Sequence, residues 1–189
     1  MKHFIYAMLA AIFTFSTAQA EVEPGTYYGT IGAVLESEFA FASGNGKLDQ
    51  NTKYPAGNEA KGSGWYIGAG YVFNDSVNFE LGYTDSNDYE NSAGPISEVN
   101  TLEASALIYW RVESPIAPYV RVGLYHTETT QTGPDAAITD DHSDDNVLYG
   151  VGFDWMVRDN AALRFDYTPG SIDDDDFERL MIGLVVNFD

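Results

Sequence analysis

The chain has 189 residues, enough for a single domain, with 29 acidic against 9 basic residues and a formal net charge of −20. So acidic a chain lacks the basic footprint that nucleic acid requires. It contains no cysteine, so no disulfide framework can hold the fold, which must rest on packing and backbone pairing.

Residues 1–20, "MKHFIYAMLAAIFTFSTAQA", read as a cleaved export signal. Lys2 forms a positive start, Phe4 to Phe15 an apolar core, and Ala18-Gln19-Ala20 a small-residue cleavage site. Residues 21–189 then form one domain.

Beyond Glu21 no helical period is visible. Apolar residues recur at every second position, the period of a strand with two unlike faces. The alternation runs over 27–36, 64–73, 76–84, 101–112, 117–126, 147–157, 161–168 and 178–188. Tight turns of turn-forming residues, "NDS" (74–76), "ESPIA" (113–117) and "RDN" (158–160), alternate with longer polar connections at 43–62, 85–97, 127–145 and 169–176. Short and long connections alternate throughout, with both termini on the short side. This predicts an all-β, eight-stranded, antiparallel up-and-down barrel.

One face of the eight strands is uncharged. It carries Trp65, Ile67, Phe79, Leu81, Leu102, Ile108, Trp110, Val120, Leu124, Val147, Val151, Leu163, Phe165, Leu184 and their neighbours of the same parity. The other carries Glu80, Glu103, Arg111, Arg121, Asp154, Arg164, Asp166 and Arg179 among glycines such as Gly68, Gly70, Gly82, Gly150 and Gly152. Its charges balance although the whole chain is strongly acidic, as expected of groups that pair in a confined space. Glycine weakens a solvated strand but makes room inside a narrow eight-stranded barrel. Aromatic residues gather at both ends of the uncharged face, as in the girdles of a membrane barrel. The expectation is therefore a transmembrane barrel with its uncharged side in hydrocarbon, the alternative being a soluble exported barrel. An even, closed set of strands leaves no backbone group unsatisfied in lipid.

The C-terminal "MIGLVVNF", with "GWYIGAGYVFND", "NFELGYTDS" and "APYVRVGLYH", resembles the OmpA/OmpX-type family of small outer-membrane β-barrels across the whole processed chain. The resemblance implies location in the outer membrane of a Gram-negative cell, lipopolysaccharide as a neighbour, and insertion by the barrel-assembly machinery. It also implies an assembly signal at Gly183, Val186 and Phe188, although here Asp189 follows the aromatic that ends most members. Family members include anchors, adhesins and small-solute channels, so the likeness fixes architecture better than role.

The interior charges are either a static plug or a gate whose pairs exchange partners to open a narrow water path. A plug is the expectation, since eight strands leave little lumen. No cofactor is predicted. Asp140, Asp141, Asp144 and Asp145 are hard oxygen donors suited to Ca²⁺ or Mg²⁺, without the spacing of an EF-hand loop, and mobile solvated charge is the simpler reading. No catalytic site is predicted. His126 with Ser143 is the nearest approach to one, and His142 is the other histidine of the processed chain. The sequence thus favours a non-enzymatic structural or surface-interaction protein acting through four acidic extracellular connections on a surface ligand or host matrix. A narrow channel for ions or small solutes is the alternative, and a lipid-modifying enzyme a more distant one.

Overall fold

The computed structural model describes residues 23–40, 59–90, 96–110, 114–132, 139–172 and 175–188. Eight strands follow one another: β1 (Tyr27–Ala40), β2 (Glu59–Asn74), β3 (Val77–Glu90), β4 (Ile96–Tyr109), β5 (Ile116–Thr132), β6 (Thr139–Arg158), β7 (Ala161–Ile172) and β8 (Asp175–Phe188). Each pairs antiparallel with the next, and β1 pairs with β8 from Tyr27↔Phe188 to Ala40↔Asp176, closing the barrel. Closure is what lets a sheet face hydrocarbon, because no edge is left.

The tight turns work as their residues suggest. Asn74 Oδ1 accepts from the backbone N–H groups of Ser76 and Val77, both at 2.9 Å, fixing the β2–β3 turn. Ser114 Oγ accepts from Ile116 N–H at 3.2 Å before β5. The proposed leader at residues 1–20 lies outside the described residues.

Two expectations are corrected. The strands are 12 to 20 residues long and run far into the stretches expected to be loops: β5 reaches Thr132, and β6 starts at Thr139. The sequence "DDHSDD" is therefore carried on a strand, with Asp141 opposite Thr130 and Asp145 opposite His126. Alternation fails there because both faces of the sheet are polar, while the backbone ladder continues. Second, β1 is bulged. Its register shifts between Val34 and Glu36 against β8, so Leu35 and Glu36 are both exposed in succession.

Facing is as expected wherever it is described. Ile31, Ile67, Phe79, Leu81, Leu102, Val122, Leu124, Val147, Val151 and Leu184 all point outward and stand exposed. Phe73, Trp110 and Phe188 ring the short-turn end, and Trp65, Tyr83, Tyr149 and Tyr167 the other. Edge-on Phe73–Phe79 and tilted Trp65–Tyr83 ring pairs, 5.7 and 5.6 Å between centroids, tie neighbouring strands. Above the second girdle the outward residues turn polar at once: Glu36, Ser63, Asp85, Glu98, Glu128, Asp145 and Glu178.

Candidate functional site

The lumen is filled in three levels. Toward the short turns, Tyr28, Val72, Ala162 and Val185 form one apolar cluster, and Leu107, Tyr109 and Tyr119 another. Toward the long connections, Ser37, Thr84, Ser86, Thr127 and Thr168 bring buried hydroxyls inward. Between them lie the charges.

Arg121 on β5 is the hub. It reaches Glu80 at 2.9 Å, Glu103 at 2.5 Å and, through Nε, Asp166 at 3.1 Å. Arg164 on β7 donates to Glu80 at 2.6 Å and grips Asp154 through Nε and Nη2, at 2.8 and 2.9 Å. Arg179 on β8 lies 2.9 Å from Glu103 and donates to Thr84 Oγ1, also at 2.9 Å. Both Arg121 and Arg164 are 0% exposed. A buried carboxylate or guanidinium is tolerated only when its lone pairs or protons are met, and here several partners share each group. Seven of the eight charges expected inside are thus in one connected network. Arg111 lies outside the described residues.

Tyrosines complete the network, and a pattern of charges alone does not reveal them. Tyr66 donates to Glu80 at 2.7 Å, Tyr109 to Asp154 at 2.8 Å and Tyr119 to Asp166 at 2.6 Å. The Arg164 guanidinium also lies 5.3 Å from the Tyr119 ring centre. The signal was in the sequence, since all three share strand parity with the charges. The glycines are their seats. A Cβ on Gly82 would strike the Tyr66 ring, one on Gly70 the Tyr28 ring, and one on Gly152 the Tyr119 ring.

At the upper rim of the outer wall, His126 Nδ1 lies 2.7 Å from Asp145 Oδ1, and Nε2 lies 3.8 Å from Glu128. His126 stands one outward step beyond Leu124, above the apolar band. Its hydrogen bond with Asp145, helped by the charges of Asp145 and Glu128, holds the imidazole pKa above its ordinary value. Ser143 is paired with Glu128, not with His126, so the group nearest the free imidazole nitrogen is a carboxylate. His142, Asp140 and Asp141 belong to β6, but their side chains lie outside the described residues. Asp144 is half-buried and Asp145 exposed, at opposite strand parity. Among the described residues no three histidines, aspartates or glutamates gather as a metal site would require.

Gly183, Val186 and Phe188 all lie on β8 at the seam with β1. Gly183 is buried opposite Gly32, Val186 is paired with Gly29, and Phe188 is exposed opposite Tyr27.

The sequence model of the family described as "Outer membrane protein beta-barrel domain" matches residues 7–188. Among solved structures, Neisserial surface protein A shares 21% identity at a TM-score of 0.67, covering 89% of this chain and 100% of its own. Ail, the attachment invasion locus protein of Yersinia pestis, shares 16% at 0.59, covering 88% and 100%. OprG of Pseudomonas aeruginosa shares 14% at 0.59, covering 88% and 97%. No curated protein sequence matches the chain.

Proposed function

The chain belongs to the outer membrane protein β-barrel domain family and so to the outer membrane of a Gram-negative cell, and from that premise we propose that it is a closed, non-enzymatic anchor whose extracellular rim meets surface partners. One observation carries the first half of this reading. Arg121 and Arg164, at the centre of the lumen, are fully buried and held by four carboxylates. A conducting path would have to part several charge-assisted bonds at once and also pass the apolar clusters beneath them. Planar-bilayer recording of the refolded protein tests this. Silence is expected, and steady conductance in the resting barrel would replace the plug with the channel reading.

The second half rests on where polar surface accumulates. With the termini toward the periplasm, the strand extensions of β5 and β6 stand clear of the membrane and expose Glu128, Ser143 and Asp145. The structural neighbour Ail is named for attachment and invasion, and has been crystallised with a heparin analogue, sucrose octasulfate. An acidic rim suits a different partner from a sulfated one: a basic protein surface, or an anionic glycolipid bridged by Ca²⁺ or Mg²⁺, each ion meeting at most a pair of Asp140, Asp141, Asp144 and Asp145 because these alternate along β6. Replacing those four aspartates with asparagine should abolish calcium-dependent adhesion of cells bearing the protein. Unchanged adhesion would remove the rim from the account. Insertion by the barrel-assembly machinery through Gly183, Val186 and Phe188 belongs to the same proposal.

A further inference from the structure

The seam between β6 and β7 closes through the apolar band and opens above it. The two strands pair from Arg158↔Ala161 to Val151↔Tyr167, and the ladder stops there. Beyond that point each runs on with its other neighbour, β6 with β5 as far as Thr139↔Thr132 and β7 with β8 as far as Ile172↔Asp175. The cause lies in the sequence. Met156 N–H donates to Pro115 C=O, on the β5 side, at 2.8 Å, and bonding direction alternates along a strand. The even residues of β6 therefore turn their backbone groups toward β5 and the odd ones toward β7. On β7 the odd residues face β6, because even Asn160, just before the strand, accepts from Asn187 N–H on the β8 side. The next bonded pair would set Tyr149 against Pro169, which has no N–H to donate. Val147 N–H donates instead to the side chain beside it, Asn146 Oδ1, at 2.8 Å. Higher still, β7 ends at Ile172, which in this register would lie opposite Asn146. Among the described residues no strand therefore stands beside the edge that Thr139, Asp141, Ser143 and Asp145 present.

Building on the reading of this rim as a contact surface, we propose that the edge takes up an extended, lysine- or arginine-rich segment of another protein as an added strand beside β6. An unpaired strand edge in water is a template for a further strand, in which backbone bonds give affinity and side chains choose the partner. The choice here is made by charge. Thr139–Asn146 reads "TDDHSDDN", Glu128 and Asp145 are exposed beside each other's strands, and β8 opens with Asp175 and Asp176 across the gap. A second copy of this edge would bring the same charges and is repelled, whereas a strand of opposite sign is drawn in. A lipid cannot supply the alternating N–H and C=O groups, and the edge stands above the girdle residues Tyr149 and Tyr167. From Thr139 to Asp145 it offers about 24 Å of strand, at roughly 3.4 Å per residue.

A fluorescent octapeptide of alternating lysine and threonine, added to the refolded protein in detergent and followed by anisotropy, tests the assignment. Its control is the same peptide methylated on every backbone nitrogen, which keeps the charge and loses the donors. The unmodified peptide should bind at least about tenfold more tightly, as one net backbone hydrogen bond or more gives. Ser143→Pro removes one N–H from the free edge without touching the β5 ladder, and should weaken the unmodified peptide by about tenfold. Amide hydrogen exchange of the unaltered protein reads the edge directly. The N–H groups of Thr139, Asp141, Ser143 and Asp145 should slow when the peptide is present, while those of Asp144 and Asn146, turned toward β5, should not change. Equal binding of the two peptides with no slowing of those amides would overturn strand addition and leave the acidic rim as a contact surface, which the four-asparagine adhesion test decides separately. Failure of both peptides to bind would overturn it too, whatever that adhesion test shows.

Discussion

Arg164 of β7 donates to Glu80 of β3 across the full width of the lumen, 2.6 Å from Nη1 to Oε2, although the two residues are 84 apart in the chain. Neither strand touches the other in the sheet, so this bond forms only when the barrel has closed around it. Replacing Arg164 with methionine keeps most of the volume but removes the counter-charge of Asp154 and Glu80, leaving Asp154 with the Tyr109 hydroxyl and Glu80 Oε2 with the Thr30 hydroxyl as donors. Losing one partner of a buried ion pair costs about 3–5 kcal/mol. Urea unfolding in detergent should register a loss of that order for Arg164→Met, and adding Asp154→Asn should recover part of it. No loss would mean the network fills the barrel without holding it.

Two buried tyrosines should respond differently to the same edit. Tyr66 donates to Glu80 at 2.7 Å, whereas the Tyr28 hydroxyl is buried with no partner. Tyr66→Phe should cost about 1.5–3 kcal/mol, the range for a hydrogen bond to a charged group, while Tyr28→Phe should be neutral or slightly stabilising. Gly82→Ala, which drives a methyl into the Tyr66 ring, should cost about 1–3 kcal/mol by overpacking. Equal losses for the two tyrosines would refute the hydrogen-bond assignment.

The outer wall makes a prediction by depth. Leu81 is 64% exposed at the middle of the apolar band, and Glu128 lies beyond its upper edge. Leu81→Arg should lower folding stability in bilayers by about 2–4 kcal/mol, and Glu128→Arg by about 0–1 kcal/mol. The unfolding free energies of the two variants in lipid vesicles check this. Similar values would contradict the depth assignment.

How far the sequence reveals this protein follows from which solvent wets each stretch. Inside the hydrocarbon band, lipid excludes charge from one face, so Phe79, Leu81 and Tyr83 alternate cleanly with Asn78, Glu80 and Gly82, and strand, face and topology are all legible. Beyond the band, water wets both faces. The polarity of "HTETTQT" (126–132) is then no signal of a loop, and the continuation of β5 to Thr132 and of β6 back to Thr139 goes unread. The bulge that puts both Leu35 and Glu36 outside is hidden for a related reason, since one extra residue shifts parity without changing composition. For the interior, parity names the members of the network but not their partners. Pairing depends on strand tilt and stagger, which decide that Arg121 meets Asp166 from two strands away. The network tyrosines do not stand out in the sequence because aromatic residues also mark the girdles, and only their parity with Glu80 and Arg121 separates Tyr66, Tyr109 and Tyr119 from Tyr83 and Tyr149.

The rim pair His126–Asp145 gives a pH dependence whose direction is fixed by its cause. Asp145 accepts a hydrogen bond from the imidazole, and the carboxylates of Asp145 and Glu128 favour its cation, so the folded-state pKa is raised. A raised pKa means that the folded protein holds this proton more tightly than the unfolded chain does. The stabilisation is complete below the ordinary histidine value of about 6.5 and is lost as pH climbs through the higher folded value. His126, Asp145 and Glu128 are 44%, 86% and 70% exposed, so solvent and salt screen the effect. The comparison of wild type with His126→Gln should therefore show a stability difference at pH 5–6 in low salt that closes by pH 9 and shrinks when salt is added. Histidine ring NMR of the detergent-solubilised protein supplies the second readout: Asp145→Asn should move the His126 titration to lower pH. A midpoint that does not move, or a stability difference that grows with pH, would show that Asp145 does not hold the proton on this ring.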